Sequence, residues 1–193
     1  MKNLEVLQNL LETGKRIFTL TEIKNLLDIE RDNSAYKKVE SLIRDGVLTK
    51  TIKGIYYLAS KPPADFELAN YLCQPSYISL SSALNYQGIL IQVPYEISSV
   101  TPRLTRKIEV NNKLFSYRHI SPSYFFGFQK EQDFLIAEPE KALIDTLFLT
   151  SLGKLKFDYS ELLLARIDKQ RFKELAGKIK NRAFQKFIAR LKL

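Results

Sequence analysis

Cysteine is almost missing from this chain. A single one, Cys73, occurs among 193 residues, which excludes an internal disulfide and any metal site built on several thiolates. Histidine is as scarce: His119 stands alone, and no elbow or triad motif lies near it to serve a nucleophilic serine. The seven glycines are scattered and form neither a GxGxxG turn nor a phosphate loop. Apolar runs extend only a few residues, too short for a membrane span, and internal repeats and low-complexity segments are absent. The first residues, MKNLEVLQNLLETGK, mix acids and polar groups with leucines. They are expected to form an amphipathic helix and not a signal peptide. These absences point to a cytoplasmic, non-enzymatic protein with no metal and no cofactor.

What is present is charge, unevenly placed. Residues 1–60 hold ten basic and eight acidic groups, residues 61–150 hold eight and nine, and residues 151–193 hold twelve and four. Nearly the whole net charge of +9 therefore sits in the last fifth of the chain. A basic block of that kind suits a polyanion such as nucleic acid, or else a solvated surface that favours solubility.

The first sixty residues read as three helices and a hairpin. Leu4, Leu7, Leu10 and Leu11 put one apolar stripe on a helix over about 2–13, which Gly14 ends. Thr19 and Glu22 in TLTE form a capping box for a short helix burying Ile23, Leu26 and Leu27. The next stretch, DNSAYKKVESLIRDGVL, is capped by Asp32 or Asn33 and stopped by Gly46. Ala35, Val39, Leu42 and Ile43 fall in one arc of it. Asn33, Lys37, Ser41 and Arg44 point the other way, flanked by Ser34, Tyr36 and Lys38. Glu40 shares the outward side and would repel a phosphate. GVLTKTIKGIYYLA then alternates like a strand, turns at Lys53-Gly54 and returns. Three helices followed by a two-stranded ribbon make a winged helix-turn-helix. In it the third helix reads the major groove, while Lys50 and Lys53 meet phosphates from the wing. Such modules also bind other proteins, so that reading stays open.

Pro62-Pro63 marks a boundary near residue 61, followed by a short helix over about 65–72. The overall expectation is an α+β chain. Residues 1–60 form the winged helix-turn-helix, and residues 61–193 form a mixed α/β domain with a basic helical tail. Cys73 is expected buried, and Ser79 is expected to cap a helix that Gly88 ends. Residues 95–136 read as strands, with Asn111-Asn112 turning a hairpin. Arg103, Arg106, Lys107, Lys113 and Arg118 in that region are candidates for a second basic surface that binds DNA. Pro139 opens a helix burying Leu143, Ile144, Leu147 and Phe148, on which Glu140 and Asp145 do not share a face. Asp158 with Glu161 repeats the capping pattern, and Asp168 caps a further helix ending at Gly177. The last helix carries Phe184, Phe187, Ile188 and Leu191 on one side, with Arg182, Lys186 and Arg190 as an i, i+4, i+8 ridge beside them, which either shows a basic edge to DNA or stays a solvated face.

The order of the blocks PSYISLSSALNYQGIL, SSVTPRLTRKIE, FSYRHISPSYFFGF and AEPEKALIDTLFL resembles the AbiEi-type antitoxins, transcriptional regulators of viral defence systems. The resemblance runs from about residue 5 to 175 and is most specific at YISLSSALNYQG and EPEKALID. It implies a winged helix that binds inverted repeats in double-stranded DNA upstream of its own operon and represses it. It also implies a C-terminal antitoxin domain that counteracts a nucleotidyltransferase-like toxin without a stable complex. A stand-alone regulator without a toxin is the alternative. A nucleic-acid-processing enzyme would need a carboxylate cluster or phosphate loop, and neither is found.

Overall fold

The computed structural model describes residues 3–52 and 54–191. It is a mixed α+β chain of helices with two sheets, and it divides into two compact units, 1–72 and 73–193.

In the first unit, helix α1 (Asn3–Glu12) leads to a short strand β1 (Ile17–Thr19), helix α2 (Leu20–Leu26) and helix α3 (Asp32–Arg44). Strands β2 (Leu48–Ile52) and β3 (Ile55–Leu58) form the hairpin, and helix α4 (Asp65–Leu72) closes the unit. The sheet has three strands in the order β1-β3-β2, not two. Three residues between Arg16 and the start of α2 are too few to show an alternating pattern. They nevertheless pair antiparallel with β3, Phe18 opposite Tyr56. The Thr19–Glu22 capping box forms as its spacing requires: the Glu22 N–H donates to the Thr19 hydroxyl at 3.2 Å, and the Thr19 N–H donates to the Glu22 carboxylate at 2.7 Å. Partial burial opposes the Glu22 charge, but hydrogen bonds from Lys15 and Thr19 outweigh it and hold the carboxyl below its ordinary value.

Val6, Leu10, Phe18, Ile23, Val39, Leu42, Leu48, Tyr56 and Leu58 form the core of this unit. The stripe of α1 is therefore centred on Val6 and Leu10. Leu4 is 68% exposed and Leu11 40%, against the expectation that both face inward. α3 begins at Asp32, with Arg31 at the N-cap position making no side-chain cap. Asp32 instead pairs with Lys24 of α2, so neither Asp32 nor Asn33 caps the helix. Its end follows the sequence: Gly46 takes φ +70°, its N–H donates to the Ile43 carbonyl at 3.0 Å, and the Val47 N–H donates to the Leu42 carbonyl at 2.8 Å. That Schellman closure needs a left-handed residue where Gly46 stands. The unit ends after α4 and not near residue 61, because α4 is tied back through the buried Glu67, whose carboxylate lies 3.6 Å from the Arg16 guanidinium.

The second unit is built on a six-stranded mixed sheet in the order β6-β7-β5-β4-β9-β8. Its strands are β4 (Tyr77–Ile78), β5 (Ile97–Thr101), β6 (Arg106–Val110), β7 (Lys113–His119), β8 (Phe128–Glu131) and β9 (Phe134–Ala137). Asn111 and Asn112 turn the β6–β7 hairpin with φ of +51° and +61°, as two-residue hairpin loops of the primed type require. Helix α5 (Leu80–Tyr86) follows β4, and helix α6 (Pro139–Ser151) packs on α5 and the sheet. Helices α7 (Lys169–Gly177) and α8 (Arg182–Arg190) pack on α6. α6 is buried nearly all round, from Glu140 to Leu149, and not along one stripe only. Asp168 caps α7 by accepting the N–H groups of Gln170 and Arg171, as expected. Asp158 and Glu161 do not open a helix. Asp158 accepts the Ser160 N–H in a turn, and the segment is pinned by a bridge between Leu90 and Leu162, which satisfies backbone groups a helix would have used.

Candidate nucleic-acid interface

The outward side of α3 is set by its inward side. Ala35, Val39 and Leu42 are buried, which leaves Asn33, Lys37, Glu40 and Arg44 exposed at i, i+4, i+7 and i+11, a single stripe along the helix. Ser34 is exposed beside its start. Lys37 makes no ion pair among the described residues, and the Arg44 guanidinium, 78% exposed, stands 3.9 Å from the Asp45 carboxylate at the helix end. Ser41 departs from its expected outward placing, while Lys38 lies on the flank as expected. The Lys38 ammonium donates to the Asn3 side-chain oxygen at 2.7 Å, and the Asn3 amide donates to the Ser41 hydroxyl at 3.0 Å. The same amide reaches the Asp45 carboxylate. Asn3 thus clips the flank of α3 to the first turn of α1, and Lys38 and Ser41 are half-buried there. Tyr36 is half-buried as well.

The hairpin follows α3 after one tight turn. Lys50 is exposed on β2, where the ladder slips between Lys50 and Ile52. A bulge of this type twists a strand and re-aims its side chains. Lys53 lies outside the described residues. Gly54 takes φ +82° and its carbonyl accepts the Leu20 N–H at 2.9 Å, which fixes the hairpin against α2.

In the second unit, the basic groups of the β6–β7 region are largely spoken for. Lys107 pairs with Glu96 at 2.7 Å, and the Arg106 guanidinium lies 5.7 Å from the centre of the Tyr117 ring. Burial works against the Glu96 charge, but Lys107, Ser116 and Arg118 hold its carboxyl below the ordinary value. Arg103 and Lys113 are exposed; Arg118 is half-buried. His119 Nδ1 sits 2.9 Å from the Arg103 carbonyl, a structural contact. Arg182, Lys186 and Arg190 are all exposed on α8. Among the described residues no group of three or more His, Cys, Asp or Glu is arranged to hold a metal, and no helix is long and apolar enough to cross a membrane.

No family model and no curated protein matches this chain. Among solved structures it is similar to the Rv2827c protein from Mycobacterium tuberculosis, with a TM-score of 0.60 over 94% of this chain and 73% of that one. Identity is 15%, so what the two share is the fold.

One constellation has no counterpart in the sequence reading. Lys141 and Asp145, one turn apart on α6 and both fully buried, form an ion pair. Asp145 also accepts the Ser79 hydroxyl at 2.8 Å and the Tyr77 hydroxyl at 3.0 Å, while Lys141 donates to the Tyr77 oxygen at 2.8 Å. Ser79 therefore spends its side chain on Asp145 and does not cap α5, although it occupies the cap position. Burial first, then the Asp145 charge beside it, pushes the Tyr77 hydroxyl well above its ordinary value, so it stays protonated and can donate. The Lys141 ammonium lies 5.0 Å from the centre of the Phe126 ring. Gly127, at φ +72°, leaves room for the lysine stem: a Cβ there would stand 3.0 Å from Lys141 Cγ. The two blocks YISLSSALNYQG and EPEKALID thus meet in one closed polar knot. Lys141 and Asp145 sit at i and i+4, a spacing that sequence can show, but only the fold reveals that both are buried.

Proposed function

We propose that the protein is a sequence-specific double-stranded DNA-binding repressor of the winged helix-turn-helix kind. α3 is its recognition helix and the β2–β3 hairpin its wing, and the second unit serves as an antitoxin domain. The observation that carries the reading is the exposed stripe of Asn33, Lys37 and Arg44 on α3 with Ser34 beside it, next to a hairpin that offers Lys50. An amide and a guanidinium can each make paired hydrogen bonds to a base edge in the major groove, whereas a wing lysine meets phosphate and supplies register. Glu40 within the stripe disfavours phosphate and suits acceptance from a cytosine amino group. In this role the protein acts in the cytoplasm on an inverted-repeat operator. Selection of duplexes from a random pool by the purified full chain is expected to converge on one inverted repeat. A pool that stays random after repeated rounds removes the repressor reading.

The antitoxin half rests on the resemblance of the four motif blocks. It implies that the chain counteracts a nucleotidyltransferase-like toxin without holding it in a stable complex. Co-expression with such a toxin is expected to restore growth even when Lys37 and Arg44 are both alanine, because neutralisation resides in the second unit. If growth is restored only by the DNA-binding-competent chain, the division of labour is wrong.

A further inference from the structure

The six-stranded sheet of the second unit ends at β6, and among the described residues no strand pairs with its outer edge. The Asn111-Asn112 turn decides which backbone groups face that edge. A two-residue turn of the primed type makes its flanking residues, Val110 and Lys113, a hydrogen-bonded pair. Hydrogen-bonded pairs alternate along an antiparallel ladder, so Ile108 with Phe115 and Arg106 with Tyr117 are the next ones. The N–H and C=O groups of Lys107 and Glu109 therefore point away from the sheet, open to a further strand. Their side chains share one face, and both residues are exposed. Lys107 holds Glu96 at 2.7 Å, whereas Glu109 makes no ion pair among the described residues. Just ahead of the strand, Leu104 is 85% exposed.

We infer that β6 pairs antiparallel with β6 of a second copy of this chain, about a two-fold axis at Ile108, joining the two sheets into one. Charge selects both the partner and the register. With Ile108 opposite the partner's Ile108, Lys107 stands opposite the partner's Glu109, and Glu109 opposite the partner's Lys107. These are the residues with outward backbone groups, so each pair exchanges hydrogen bonds as well as facing an opposite charge. The next registers that the backbone allows put Lys107 on Lys107, or Glu109 on Glu109. Both are like-charge contacts. Charged residues on a sheet edge ordinarily deter pairing, and here the alternation of signs deters the neighbouring registers while favouring one. Such an isologous contact needs no other protein. Leu104 then falls beside the partner's Asn111-Asn112 turn. The contact spans one five-residue strand, less than a permanent interface buries, so association is reversible and in the micromolar range. The inference is independent of the DNA-binding reading, although a two-fold dimer matches an inverted repeat in symmetry.

The test is sedimentation velocity on the full chain between about 1 µM and 1 mM. The wild type is expected to form reversible, concentration-dependent dimers. Glu109→Lys and Lys107→Glu should each raise the dissociation constant about tenfold or more, because each sets like charges against one another on both sides of the axis. An equimolar mixture of the two variants should dimerise as the wild type does, since each presents the charges the other needs. If Lys107→Glu unfolds for want of its bond to Glu96, Glu109→Lys carries the charge test, because that carboxylate has no ion-pair partner to lose. The register is read separately with Ile108→Cys under oxidised glutathione. Residues opposite each other in a non-hydrogen-bonded pair lie within disulfide reach, so a covalent dimer should form. Cys73 is buried and does not compete. Glu109→Cys should stay uncrosslinked, because the register separates its two copies by about 9 Å. A wild type that remains monomeric throughout, a dimer indifferent to Glu109→Lys, or an Ile108→Cys chain that does not cross-link overturns the inference. None of these readouts involves DNA, so the failure of this pairing and the failure of the repressor reading are told apart.

Discussion

Lys141→Met is expected to lower the unfolding free energy of the second unit by about 3–5 kcal/mol, the largest effect of any single substitution proposed for this chain. The loss does not measure the strength of the ion pair. It measures the cost of leaving Asp145 ionised and buried, with only the Tyr77 and Ser79 hydroxyls to replace the ammonium. Removing both charges together, as Lys141→Met/Asp145→Leu, should recover part of that stability, because a buried pair roughly balances its own desolvation. Recovery stays incomplete while the Tyr77 and Ser79 hydroxyls are left without an acceptor, each an uncompensated buried polar group of about 1–3 kcal/mol. Adding Tyr77→Phe should restore more. Urea unfolding followed by near-ultraviolet circular dichroism, which reports the buried Tyr77 and Tyr117 rings, checks the series. A Lys141→Met protein as stable as the wild type would mean that the knot is not closed in solution.

How far the fold could be read from the residues depended on whether the signal was local. The Thr19–Glu22 box, the Gly46 stop, the Asn111-Asn112 hairpin and the Asp168 cap are all local, and each forms as its spacing indicates. Strands β1 and β4 were not legible. At three and two residues they carry no periodicity, and only their long-range partners define them, β3 for one and β5 with β9 for the other. Leu4 and Leu11 misled for a related reason. A run of leucines permits several stripes, and the position of the sheet and of α3 selected the one centred on Val6 and Leu10.

The candidate interface was legible in part. Asn33, Ser34, Lys37 and Arg44 are exposed as the helical period requires, whereas Lys50 is exposed although it shares a strand face with the buried Leu48. Lys38 and Ser41 are drawn toward Asn3, a long-range pairing across the unit that no helical projection of α3 contains. The serine at position 79 shows the same limit. Its place before α5 reads as a cap, while its hydroxyl is taken by Asp145, 66 residues away in sequence.

The second large effect concerns α3 itself. Lys37 and Arg44 lie seven residues apart, about two turns, so under the proposed repressor reading a duplex on the stripe would meet both at once. Their side chains are exposed and stand outside the core, so truncating both should leave thermal unfolding nearly unchanged. Taking the guanidinium away from a base edge costs about 1–3 kcal/mol, and taking the lysine away from a phosphate lowers the salt slope by about 1. The double variant should therefore bind its selected duplex about ten- to several-hundred-fold more weakly. Its grip on arbitrary sequence should weaken much less, since Lys50 and the other cations remain. The direct measurement is a gel-shift titration of the selected duplex and of an arbitrary one, with the wild type and Lys37→Ala/Arg44→Ala side by side at one salt concentration. Collapse of the preference between the two duplexes, with the melting temperature intact, is the predicted result. A double variant that still tells them apart as well as the wild type would contradict α3 as the reading element.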